Sequence, residues 1–188
     1  MDSDLAPAPK WLPLVKLVLA AGVGWALWHA FQVAPQGRGI FGEIALFGLW
    51  GAMVAVALFL IAVFFYCRDL GRTLAAVSPA ARAASPASVW WMFALPYNFI
   101  EDFFIIRNVS VSLRAEARRN RALGGWRHFG EWSGLGWCGA QIISLVPNLL
   151  GSAASLVALV LWLIHWRLIR RALVALRNAP AVAIRPAA

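Results

Sequence analysis

Acidic residues are scarce in this chain, eight among 188 residues against 17 basic ones, and Lys10 and Lys16 are its only lysines. Charged residues of all kinds make up 13%, while hydrophobic residues make up 62%, a balance that excludes the usual composition of a soluble domain. Cysteine is nearly absent. Cys67 and Cys138 stand far apart with no Cys-x-x-Cys spacing, which excludes a disulfide framework and a thiolate metal cluster and leaves two buried apolar thiols as the expectation. There is no Gly-x-Ser-x-Gly, no Walker loop, no His-Glu-x-x-His and no dinucleotide fingerprint, so the sequence offers no standard nucleophile, phosphate cradle or metal site. A non-enzyme without cofactor is expected.

What the chain has is long apolar runs. Residues 11–33 are apolar apart from Lys16 near the start and His29 near the end, long enough to span about 30 Å of hydrocarbon. The stretch before Lys10 is acidic and Pro-rich, a poor start for a cleaved signal peptide, so residue 11 onward is expected to be a retained first span. Residues 44–67 carry no formal charge and are followed at once by Arg68, Asp69 and Arg72. Residues 132–166 are also uncharged, and a straight helix of that length would measure about 52 Å at 1.5 Å per residue, too long for one bilayer. Pro147, Asn148 and Gly151 mark a turn, giving short spans at 132–146 and 152–166. The positive-inside rule then places both termini and the region from Arg68 to Arg127 on the cytoplasmic side, with only Arg38 opposite. The expected fold is an all-α integral membrane protein, one domain of four transmembrane helices in two hairpins.

Residues 90–121 tempt a fifth span but carry Glu101 and Asp102, each costing on the order of 3 kcal/mol at a bilayer centre, between basic flanks. They are read instead as a cytoplasmic-side interfacial or re-entrant amphipathic helix. At 100° per residue, Asn98, Glu101, Asp102, Asn108, Ser112 and Glu116 share a polar face, opposite Phe99, Ile100, Phe103 and Phe104. Arg107, Arg114, Arg118 and Arg121 fall in a narrow arc if the helix continues, a stripe suited to anionic lipid. These four arginines, Trp90, Trp91, Glu101 and Asp102 are the candidate interaction residues. Adjacent helical carboxylates point about 100° apart, poor geometry for a shared task, so charge pairs with cytoplasmic arginines are expected.

His29 and His165 lie at opposite depths in this topology, so one haem iron would not reach both. Gln141, Ser144 and Asn148 form a polar face suited to interhelical hydrogen bonds. Most of the eleven tryptophans sit near span ends, as an aromatic belt would.

The stretch Ser85, Pro86, Trp90, Trp91, then Pro96, Asn98 and a basic helix through Val111 and Arg114 resembles an uncharacterised bacterial membrane family, a domain of unknown function with a tandem-Trp, Pro and Asn interfacial motif. The resemblance implies an interfacial segment between membrane hairpins and no activity. Basic residues clustered beside apolar runs argue for membrane lipids, including anionic lipids, as partners and against nucleic acid. Few Lys with many Arg and Ala suggest a bacterial inner membrane. The expected function is an accessory or structural subunit of a larger membrane complex, with a small-molecule or lipid-handling transporter and an electron-transfer subunit as alternatives.

Overall fold

The computed structural model describes residues 9–33 and 39–178. Arg38 and both extreme ends, on which part of the expected topology rests, lie outside the described residues. Every regular element among the described residues is helical: α1 (Leu12–Val33), α2 (Ile40–Ala45), α3 (Gly48–Ala76), α4 (Asn98–Ala117), α5 (Glu131–Ile143) and α6 (Leu149–Asn178), with 3-10 turns at Pro79–Ala81, Pro86–Phe93 and Arg121–Leu123. Three of these, α1, α3 and α6, are long and apolar enough to cross a membrane. The most apolar 18-residue window of α3 is 0% buried within the protein, a surface that only lipid or another chain satisfies. The expected spans 11–33, 44–67 and 152–166 correspond to these helices. Span 132–146 becomes α5, whose 13 residues measure about 20 Å, short of a full hydrocarbon thickness.

Helices α5 and α6 form the principal packed pair. The turn between them brings a Cβ at Gly151 into the Val146 carbonyl, so only glycine fits there. The Asn148 side chain accepts from the Leu150 N–H at 2.9 Å and the Gly151 N–H at 3.2 Å, capping the start of α6. The Ser144 hydroxyl donates to the Gln141 carbonyl at 2.7 Å. For Ser144 and Asn148 the expected interhelical role is therefore replaced by local capping, because short polar side chains beside a helix end meet orphan backbone groups first.

Helix α4 runs antiparallel to α5: Phe99 and Ile100 cluster with Leu145, Ile106 lies against Gly134, and Arg114 pairs with Glu131 at 2.6 Å. Entry to α4 comes through the 3-10 turn at Pro86–Phe93, which packs along α3 with Trp90 beside Phe64, centroids 5.4 Å apart, and Cys67 Sγ 3.4 Å from Met92 Sδ. The chain reverses at Leu95–Pro96, a cis peptide, with the Pro96 ring against Gly24 of α1. Helix α4 ends at Ala117, so the arginine arc does not continue on one helix, and Arg121 begins a separate 3-10 turn. Arg107, Arg114, Arg118 and Arg121 are all exposed.

The core lies toward the arginine-rich end. Along α3, large exposed apolar side chains reach as far as Phe65, and from Tyr66 onward one side of the helix is buried through Leu70 and Leu74. These pack with Ile106, Val109 and Leu113 of α4 and Ile169 of α6. Arg82 folds back so that its guanidinium donates to the carbonyls of Leu74, Ala75 and Val77, satisfying the last turn of α3.

Candidate functional site

Helix α4 is covered on more than its apolar side: Phe99 and Ile100 are buried, and so is much of the polar face opposite them. Asn98, Asp102, Ser112 and Glu116 are all buried, because α3, α5 and the 77–93 segment surround the helix. Two of these groups hold loops in place. Glu116 accepts from the backbone N–H and hydroxyl of Ser78 at 3.0 and 2.6 Å, and Ser112 Oγ accepts from the Ala83 N–H at 2.8 Å. The other two point into the core.

Asp102 is 2% exposed, and its Oδ1 has no hydrogen-bond partner among the described residues; one turn earlier, Asn98 Oδ1 is equally unpartnered. Burial first, and the neighbouring Glu101 second, hold the Asp102 carboxyl well above the usual carboxylate range. Tyr66, Cys67 and Cys138 lie within electrostatic reach of the carboxyl, and none of them brings a positive charge. Glu101, 100° around the helix, takes the nearest cation: Lys16 Nζ donates to it at 2.6 Å and sits 3.9 Å over the Phe104 ring. The expected pairing of Glu101 and Asp102 with cytoplasmic arginines is thus corrected. Lysine from α1 serves Glu101, and Asp102 has no ion pair among the described residues.

Beside Asp102 stands a second polar element. The Tyr66 hydroxyl is hydrogen-bonded to His165 Nδ1 at 2.7 Å, with both residues 0% exposed. Trp137, Trp162 and Trp166 enclose the tyrosine, their ring centroids 5.6, 5.6 and 5.9 Å away. His165 Nε2 and Trp162 Nε1 are buried without hydrogen-bond partners among the described residues. Helix α5 approaches closely because it presents glycine here. A Cβ at Gly134 would run into Ile106 and meet His165 Cδ2 at 3.0 Å, and Gly130 turns the chain into α5 at φ 81°, where a Cβ would lie 2.8 Å from the same ring.

Sequence reading passed over Tyr66, which lies inside an uncharged run and gives no local signal. It did single out His165, as one of two histidines at opposite depths. His29 is exposed on α1, stacked on Trp25 at 5.6 Å, while His165 is buried against Tyr66. No group of three His, Cys, Asp or Glu suited to a metal occurs among the described residues, and both cysteines are free and buried. Trp90 and Trp91 are exposed, Trp91 edge-on to Tyr97 at 5.9 Å.

A second concentration of functional chemistry lies at the surface where α6 leaves its apolar section. Asp69 accepts from Trp166 Nε1 at 2.9 Å and sits 3.8 Å from both Arg68 and Arg170. Beyond this pair, two adjoining grooves of about 610 and 620 Å³ run between Trp126 and the arginines of α6. Searches of family models, curated proteins and solved structures find no match, so the family resemblance of the Trp90 segment carries no further argument.

Proposed function

We propose that the protein is a non-catalytic, multi-pass subunit of the bacterial inner membrane that docks on a larger membrane complex through the outer face of α1. The observation that carries this reading is how lightly α1 is held. Only Ala20, Val23 and Ala30 are buried, and its attachments run along one side: the Lys16 and Glu101 pair, the Gly24 and Pro96 contact, and a small apolar cluster in which Ala20 and Val23 meet Phe99 and Ile100. Its free face bears Trp25 and Trp28 together with the exposed imidazole of His29. A stacked Trp and His pair on an apolar helix suits a protein partner offering a hydrogen bond better than it suits acyl chains. Replacing Trp25 and Trp28 with Ala and His29 with Leu is expected to leave the protein inserted while removing any partner that co-purifies at fixed stoichiometry in mild detergent. Co-purification unchanged by the triple substitution would sink the docking face.

In this reading α5 completes a fourth crossing together with its flanking turns, and residues 90–98 form a re-entrant tip. Support for the tip comes from its neighbours. Pro96 meets Gly24, about 18 Å along α1 from Leu12, and Phe99 and Ile100 pack on Ala20 and Val23. Both termini and the arginines from Arg68 to Arg127 are cytoplasmic in this arrangement. Single cysteines introduced at Arg114 and Arg177, in a background lacking Cys67 and Cys138, are expected to resist an impermeant thiol reagent in intact cells and react after lysis. Labelling from outside at either position would reverse the orientation.

Asp102 favours a second reading, a proton-responsive or small-molecule-handling membrane protein, since an unpaired buried carboxyl at bilayer depth is costly and usually retained for use.

A further inference from the structure

Along α6, Leu156, Val157, Leu159, Val160, Leu163 and Ile164 are exposed and apolar, and the next outward-facing positions are Arg167, Arg170 and Arg171, also exposed. The change from lipid-suited to charged surface therefore occurs within one helical turn. At that level Trp126 and the loop from Gly125 to His128 lean against the helix and form the two grooves, one on each side of a ridge made by Arg167 and Arg171. Leu163 and Ile164 line the grooves on their apolar side, while Arg127 reaches the second from the loop.

Among the described residues no acidic side chain lines either groove. Arg170 is drawn 3.8 Å from Asp69, but Arg127, Arg167 and Arg171 have no ion pair among the described residues. Three arginines thus surround a concave site with an apolar approach on one side only. Like charges held this close repel one another unless an anion sits among them, and a planar guanidinium fork matches phosphate oxygens. The exposed row from Leu156 to Ile164 supplies what a soluble phosphate would not use, a track for acyl chains running from the charged end toward the other side of the bundle.

We propose that the Trp126, Arg127, Arg167 and Arg171 groove is a binding site for an anionic glycerophospholipid. The phosphate lies on the ridge between Arg167 and Arg171 and is closed over by Arg127, and the chains lie along α6. This differs from the four-arginine stripe read from sequence, in which Arg114 is already engaged by Glu131 and Arg121 sits on a separate turn. The inference rests on the multi-pass membrane reading but not on the docking face of α1.

The test is native mass spectrometry of the full-length protein purified from mixed phosphatidylcholine and phosphatidylglycerol vesicles, counting the lipid that stays bound. Wild type is expected to retain phosphatidylglycerol in preference to phosphatidylcholine. The triple variant R127Q/R167Q/R171Q is expected to lose that preference by on the order of a hundredfold. A charge-matched control at exposed arginines that line neither groove, R72Q/R119Q/R177Q, should retain it. Loss of equal size in both variants would show a diffuse basic surface, and retention in the site variant would place the lipid elsewhere; either overturns the proposal. Displacement of the lipid by millimolar glycerol phosphate would reassign the site to a soluble phosphate and overturn it as well. Extraction of the wild type from membranes by alkaline carbonate would instead be a failure of the membrane reading itself. The two outcomes are therefore separable.

Discussion

Replacing Gly134 with Val is expected to destabilise the protein by roughly 3 kcal/mol or more, seen as a fall of about 6 to 12 °C in the thermal midpoint of the purified protein in detergent. The cause is geometric. The added Cβ alone collides with Ile106 and lies within 3.0 Å of the His165 ring, and both neighbours are fixed, Ile106 by 0% exposure in the core and His165 by its 2.7 Å bond to Tyr66. Neither can retreat without separating α4 from α5 or opening the aromatic enclosure of Tyr66. Gly139, on the same helix, provides the control, since a Cβ there meets nothing within 4 Å. Gly139→Val should leave the midpoint within a degree or two, because it exchanges a poor helix former for a slightly better one. Equal effects at the two positions would mean that the α4, α5 and α6 junction is not close-packed.

Asp102→Asn is expected to abolish a pH dependence of stability that the wild type shows. A carboxyl whose folded-state pKa is raised above its unfolded value binds more protons in the folded state. Its presence therefore weakens the fold progressively as pH rises above the ordinary Asp range of about 4. Stability is thus highest in acid and declines toward neutrality, the opposite of a salt-bridged aspartate. The groups facing Asp102 sharpen the expectation. Glu101 adds negative charge beside it, and Lys16 is occupied by Glu101. Asparagine keeps the shape and removes the titration, so the variant should match or exceed the wild type at neutral pH and respond weakly between pH 5 and 8. Denaturation curves at several pH values measure this. A wild-type slope that survived in Asp102→Asn would assign the dependence to other groups and remove the support for a proton-responsive protein.

The contrast between the two carboxylates shows where sequence reading stops. Their adjacency and the 100° per residue of a helix correctly separate their directions, but periodicity cannot say which face is covered. The polar face of α4 carries Asn98, Asp102, Ser112 and Glu116, and a hydropathy pattern turns such a face outward. The structure covers much of it as well, because Ser78, Ala83 and the 3-10 segments offer backbone groups that Ser112 and Glu116 satisfy. The arginine arc failed for a similar reason: its spacing holds only while one helix persists, and α4 stops at Ala117.

Composition by itself determined that most of this chain is helical and apolar, since runs such as 44–67 leave no polar face to solvate and a helix satisfies its own backbone in lipid. The turn at Pro147, Asn148 and Gly151 was equally legible, because proline and glycine act locally. Tertiary structure alone decided which residues form the polar centre. Tyr66, Asp102 and His165 come from three helices separated by long stretches of chain, and α5 closes over the Tyr66 and His165 pair because Gly134 leaves room for the imidazole ring, a contact no local pattern encodes.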